Sequence, residues 1–295
     1  MRFLVLGAAA GGGLPQWNCG CANCRDARLG RIAPATQSSL AVSLDGQSWA
    51  VLNASPDIRI QLQNCPSMHP QSLRRSPLQA VLLTNGDIDH IAGLLSLREQ
   101  TAFSLFATAE ILDVLAASRV FDALPAAKVT RRAVALGAGF ELLPGLQAQV
   151  FAVPGKVPLF MESGTVQTDL SGEQTVGVRL RGGGKTAYYI PGCSGVTPEL
   201  LEMLQDADQL FFDGTLWRDD EMIRSGTGVK TGQRMGHVPI SGPEGAIARL
   251  QAVDAAKTFV HLNNTNPVWQ PDSPERAHVL ASGWSVAADG MEITL

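Results

Sequence analysis

Charge is scarce in this sequence. Asp, Glu, Lys and Arg make up 17% of its 295 residues, against about 25% in an ordinary soluble domain. The balance is slightly acidic, with 23 basic and 27 acidic side chains and a net charge of −4, which argues against a broadly basic nucleic-acid-binding surface. Long apolar runs are missing as well: no stretch approaches the ~18 uninterrupted apolar residues of a membrane-spanning helix. Low-complexity linkers and repeats of solenoid period are absent, so disordered, collagen-like and solenoid classes drop out. What remains is 45% hydrophobic, enough to build a large core. Function has to come from local chemistry.

Cysteine is limited to five residues, an odd number with three of them inside Cys19-Gly20-Cys21-Ala22-Asn23-Cys24. That is not the pattern of a secreted disulfide framework. Gly20 frees the backbone to turn the three sulfurs inward, and three thiolates plus one further ligand suit a closed, structural zinc site. A redox pair made of Cys21 and Cys24 is the alternative, although such a pair has no need of Cys19. The opening run Met1-Arg2-Phe3-Leu4-Val5-Leu6-Gly7-Ala8-Ala9-Ala10 has the look of a short secretory leader. A buried strand followed by a Gly-rich turn explains it equally well, and the thiol cluster that follows at once favours the strand and a cytoplasmic protein. The spacing of Gly7, Gly11, Gly12 and Gly13 does not fit the dinucleotide-binding fingerprint.

Apolar patterning predicts strands over Phe3–Gly7, Leu40–Leu44, Trp49–Asn53, Ala80–Thr84, Leu146–Val153, Gln174–Leu180, Thr186–Ile190, Gln209–Asp213, Thr258–Leu262 and Met291–Leu295. It predicts helices over Ile91–Arg98 and Ala109–Ser118, from the Thr197-Pro198 cap, from Ser241 through Leu250, and from Ser273. Strands followed by alternating helices and strands in both halves predict two packed sheets with helices outside. One compact domain over residues 1–295, with the thiol loop at 19–24, is the expectation.

Polar groups gather at five strand ends: Asn85-Gly86-Asp87-Ile88-Asp89-His90, Pro154-Gly155-Lys156, Pro191-Gly192-Cys193, Asp213-Gly214-Thr215 and His261-Leu262-Asn263-Asn264. Helix capping explains one carboxylate ahead of a helix, but not Asn85, Asp87, Asp89 and His90 together. The chain has five histidines, and His90 and His261 both fall on these ends.

This order of strand ends resembles the metallo-β-lactamase superfamily, which implies an αββα sandwich with its metal site at the ends of the strands. The superfamily's first motif, His-x-His-x-Asp-His, corresponds here to Asn85-x-Asp87-x-Asp89-His90. Its third-motif His falls on Lys156, its bridging Asp on Cys193 and its final His on His261. The resemblance therefore implies loss of one metal position and retention of the other in Asp89, His90 and His261. Together with the thiol loop, Gly-His-Val-Pro-Ile-Ser and His-Leu-Asn-Asn-Thr-Asn-Pro, the pattern is similar, essentially from end to end, to the B family of pyrroloquinoline-quinone (PQQ) biosynthesis proteins. Superfamily members with the same thiol loop complete the zinc with a His three residues after the strand-end His; Asn264 stands there in this chain.

That resemblance implies a part in making the quinone cofactor, with iron- and oxygen-dependent hydroxylation of the tyrosine ring of a Glu–Tyr-type peptide as the expected reaction. Two His and one carboxylate with open positions form the facial set of non-haem Fe(II) oxygenases. The expected cofactors are structural Zn2+ and catalytic Fe2+. The expected partners are a peptide or small-molecule precursor of PQQ and other PQQ biosynthesis proteins. A carrier moving PQQ or its precursor towards the periplasm, and a metal-dependent hydrolase, are the alternatives. Among further residues, Cys193 is a candidate ligand of the active-site metal or a buried small hydrophobe. Asp213 is expected to orient a histidine ligand, Lys156 and His237 to face the substrate, and Cys65, His69 and His278 to be structural.

Overall fold

Runs such as Phe3-Leu4-Val5-Leu6 and Ala80-Val81-Leu82-Leu83 have no polar face, so they suit sheets covered on both sides. In the computed structural model, which describes residues 1–295, they lie in two seven-stranded sheets. The first sheet contains β1 (Arg2–Gly7), β2 (Ser39–Ser43), β3 (Trp49–Leu52), β4 (Leu78–Leu82), β5 (Phe103–Ala107) and β6 (Val129–Ala133) in that spatial order. The second runs β7 (Gly139–Leu143), β8 (Leu146–Ala152), β9 (Val176–Gly182), β10 (Lys185–Ile190), β11 (Gln209–Asp213), β12 (Ala256–Val260) and β13 (Trp284–Val286). The last strand, β14 (Glu292–Thr294), returns to the first sheet and pairs antiparallel with β1. Each sheet begins with antiparallel neighbours and ends with parallel ones, β3 to β6 and β10 to β13. The expected α/β sandwich is the observed architecture.

The main core fills the space between the sheets, where Phe3 of β1 meets Phe211 of β11 at 5.0 Å between ring centroids. A second apolar cluster lies under the helices on the outer face of the first sheet. The parallel strands β4, β11 and β12 end in the polar segments singled out from sequence, and loops after parallel strands are where α/β sheets carry their sites.

The expected helix over Ile91–Arg98 forms differently. One α-helical turn, Ile88–Ile91, passes into a 3-10 stretch, Ala92–Leu97. Gly93 is the reason: its N–H donates to the carbonyl of Ala54 at 2.9 Å, so it is unavailable to an α-helical ladder. A Cβ at this position would lie 1.9 Å from the Ser55 carbonyl oxygen. The helix expected from Ser241 is likewise reduced to Ala246–Arg249, because the Ala246 and Ile247 N–H groups pair with Pro239 and Ile240 carbonyls instead. By contrast, Thr197 caps Pro198–Met203 as predicted, its hydroxyl accepting from the Leu200 N–H.

Candidate metal centre

β4 hands the chain to Thr84 and Asn85, and the turn is held from β3 by Asn53. That residue adopts a left-handed φ of 64°. Its Oδ1 accepts the Thr84 N–H at 2.9 Å, and its Nδ2 donates to Thr84 Oγ1 at 2.8 Å. Asn85 then organises the next five residues. Its Oδ1 accepts the Asp87 N–H at 3.0 Å and faces His90 Nδ1 at 2.6 Å. An amide carbonyl can only accept, so His90 carries its proton on Nδ1 and leaves Nε2 as a lone pair. That Nε2 is buried and has no hydrogen-bond partner.

β12 delivers the other histidine. The strand stops at Val260 because His261 takes φ 59°, a left-handed conformation unusual for a non-glycine residue. Its Nδ1 lies 2.8 Å from Thr215 Oγ1, and Thr215 Oγ1 lies 2.7 Å from Asp213 Oδ1. The hydroxyl has one proton, and the carboxylate is its strongest acceptor, so His261 donates from Nδ1 and turns Nε2 toward the Asp89 carboxylate. His261 Nε2 and Asp89 Oδ2 are 3.1 Å apart, and His90 Nε2 is 3.8 Å from the same oxygen. Asp89, His90 and His261 thus present three donor atoms within 4.8 Å of one another.

Electrostatics sort the neighbouring acids. Burial works against the charge on Asp89, but the imidazoles of His90 and His261 hold its carboxyl well below the usual range. Burial pushes His90 down to about 4, which keeps it neutral at pH 7. Asp87 moves the other way, raised first by burial and then by the charge of Asp89.

Asp213, His237 and His261 also lie close together, yet the Asp213 oxygens and His237 Nδ1 are already engaged. Asp213 accepts from the Cys193 and Thr215 N–H groups, the Thr215 hydroxyl and His237 Nδ1, at 2.7 to 3.0 Å. Burial opposes a charge on His237, but the Asp213 carboxylate outweighs it and raises its pKa. His237 lines the same cleft, of about 320 Å³, as the three donors, Asn85, Asp87 and Lys156.

Lys156, expected to face substrate, is also paired: its Nζ lies 3.1 Å from Glu162 Oε1, and Glu162 accepts two bonds from Arg234. Cys193 is not brought to the donor cluster. Its Sγ donates to the Gly195 carbonyl at 2.9 Å, and burial pushes the thiol up to about 12. The residue is fully buried, in keeping with the small-hydrophobe reading. Cys65, His69 and His278 do not line the cleft. Thr215 belongs to the strand-end segment Asp213-Gly214-Thr215, but its role in linking Asp213 to His261 is not assigned by the sequence.

The three thiols of the 19–24 loop form a second cluster. Arg28 closes the loop by donating to the carbonyls of Gln16 and Cys19, both at 2.6 Å. Asn23 ties it to the segment after His261, donating to the Asn264 and Asn266 carbonyls at 2.9 Å. The Asn264 amide faces Cys19, Cys21 and Cys24 sulfurs at 3.2, 3.6 and 3.3 Å, in the direction of a fourth ligand. A half-turn of the planar amide places Oδ1 there instead of Nδ2. Burial pushes Cys21 up to about 11, so a bound cation would favour its thiolate.

Comparisons with known proteins show the family. Residues 48–261 match the family described as the beta-lactamase superfamily domain. Coenzyme PQQ synthesis protein B of Ruegeria pomeroyi is 66% identical over 295 residues, covering 100% of both chains. The chain belongs to the PQQ synthesis protein B family. The family's protein from Rhizobium meliloti is 54% identical, covering 100% of this chain and 98% of its own. A crystal structure of Zn(2+)-bound PqqB from Methylobacterium extorquens superposes with a TM-score of 0.99 at 52% identity over 100% of both chains. A diphosphatase of the PhnP family shares the fold alone, with a TM-score of 0.73 at 21% identity, over 100% of this chain and 97% of its own. The superfamily match ends at His261, so the thiol loop and Asn264 lie outside it.

Proposed function

We propose that the chain acts in PQQ biosynthesis as a mononuclear iron- and oxygen-dependent hydroxylase of the tyrosine ring in a Glu–Tyr-type peptide. The observation that carries this reading is the single facial donor set of Asp89, His90 and His261, with the buried His90 Nε2 lacking any protein partner. Leaving such an atom unsatisfied costs roughly 1–3 kcal/mol, so the donors fit a metal ion. Fe(II) held by two His and one carboxylate supplies oxygen activation and keeps positions open for a co-ligand.

The remaining residues act on the substrate and on the donors. Asn85 and Thr215 fix the tautomers of His90 and His261, so both lone pairs are ready without rearrangement. His237, whose protonated form the Asp213 carboxylate favours against burial, lines the cleft beside the ring to be modified. Leu159 and Phe160 offer an exposed apolar wall on the same cleft. Asn85, Asp87 and Lys156 provide no second set of ligands: one is bound to His90, one resists ionisation and one is paired with Glu162. A hydrolase using two metals would need that set. The Cys19, Cys21 and Cys24 cluster with Asn264 is read as a structural zinc site. No helix is long and apolar enough to cross a membrane.

Metal analysis of anaerobically prepared protein tests the assignment. One zinc per chain and a more easily lost iron are expected, with His90→Ala and His261→Ala each losing the iron and keeping the zinc. Two metals in the cleft, with Asn85 or Asp87 as ligands, would favour the hydrolase.

A further inference from the structure

The cationic groups around the cleft are not equivalent. Lys156 is spent on Glu162 at 3.1 Å and on the Val157 carbonyl at 3.1 Å. Glu162 in turn holds Arg234, so these three side chains fasten the Leu159–Met161 turn to the helix Gly232–Met235. His237 is spent on Asp213. Lys230 also lines the cleft, is partly buried, and makes no ion pair and no side-chain hydrogen bond.

Its freedom follows from its surroundings. Each acid on the preceding segment is already engaged. Asp219 accepts the Gln233 N–H at 2.7 Å. Asp220 lies 3.5 and 3.6 Å from Arg218 and Arg224. Glu221 accepts the Trp217 N–H and the Thr265 hydroxyl. A partly buried ammonium lining a cleft, with the acids of the preceding segment committed elsewhere and Asp87 of the same cleft disfavoured as a carboxylate by burial and by Asp89, is arranged to take its acceptor from a ligand.

We propose that Lys230 holds a free carboxylate of the substrate and is a specificity-determining residue of this cleft, while Lys156 serves as the fastener of the Leu159–Met161 turn. The assignment rests on the reading of the cleft as the site of an acidic, tyrosine-containing peptide. It adds which residue reads the acid. On the same cleft, Leu159 and Phe160 are 60% and 55% exposed, a surface on which an aromatic ring can rest while the carboxylate is held.

The test is calorimetric binding to the metal-loaded protein under nitrogen, so that affinity is read without turnover. The probes are glutamyl-tyrosine, its C-terminal amide and glutaminyl-tyrosine, which separate the main-chain from the side-chain carboxylate. Wild type should bind glutamyl-tyrosine about tenfold more tightly than one of the two neutralised probes. Lys230→Ala should erase that preference, Lys230→Arg should keep most of it, and Lys156→Ala should weaken all three probes without changing their ratio. A preference that survives in Lys230→Ala, or that vanishes in Lys156→Ala, overturns the role of Lys230 and leaves the hydroxylase reading standing. Failure of wild type to bind any of the three probes overturns both.

Discussion

Asn85 Oδ1 and His90 Nδ1 stand 2.6 Å apart, inside a site where both residues are buried. The superfamily motif that this chain resembles has a metal-ligating histidine where Asn85 stands. Here the same position reaches a different partner, the imidazole of His90 five residues on, and sets its tautomer. On the proposed single-metal reading, Asn85 gives up a ligand of one metal position and orients a ligand of the other.

Asn85→Ala should therefore weaken the cleft metal by roughly 10- to 100-fold, the usual effect of removing a partner that orients a ligand. The thiol-site zinc should be unaffected. Competitive titration with a chelator, followed by metal analysis, separates the two sites.

The thiol loop is predicted to contribute folding free energy through its cation. Cys21→Ser should lower zinc content and reduce the melting temperature by several degrees. Asn264→His should bind zinc at least as tightly as the wild type if Asn264 occupies the fourth position. Unchanged zinc content and melting in Cys21→Ser would remove this site from the account.

Glu221 gives the fold a pH dependence. Burial, chiefly, pushes its carboxyl up to about 7 from an ordinary value of 4.5. The folded state therefore binds the proton more tightly than the unfolded one. The associated stability is fully present below about pH 4.5 and is lost as pH rises through about 7. Thermal melts of Glu221→Gln against wild type between pH 5 and 8 should show the wild type losing stability relative to the variant as pH rises.

Gly93 sits where the turn carrying His90 packs on the segment after β3. Gly93→Ala would place a methyl 1.9 Å from the Ser55 carbonyl oxygen, an overpacking worth at least about 1–3 kcal/mol. Chemical denaturation should show that loss. Iron affinity should fall with it, because the displaced turn also carries Asp89 and His90.

Strands were the most legible part of the sequence. Gln209–Asp213 forms with the expected bounds, and Leu146–Val153 differs from the observed strand by one residue at its end. Buried parallel strands announce themselves as unbroken apolar runs. β6, with Arg131 and Arg132 in its middle, carries no such signal, and it lies at a sheet edge where polar residues are tolerated. The helix after β4 was misjudged because a sequence shows a glycine but not the carbonyl that will press against it. At the site, Asp89, His90 and His261 were visible as strand-end residues and come together. The pairing of Lys156 with Glu162, and the turning of the Cys193 thiol to Gly195, depend on loops whose course no periodicity records. Lys230 was missed for the same reason: its character comes from acids that are engaged elsewhere.

The central claim is that one metal, held by Asp89, His90 and His261, supports oxygen insertion into a tyrosine ring. Turnover of a short Glu–Tyr-type peptide under isotopically labelled oxygen gas, with Fe(II) and reductant, tests it most directly. The account predicts label on the ring, oxygen consumption, and no product when either histidine is replaced by Ala. An unlabelled ring, or equal turnover with zinc under nitrogen, would contradict it.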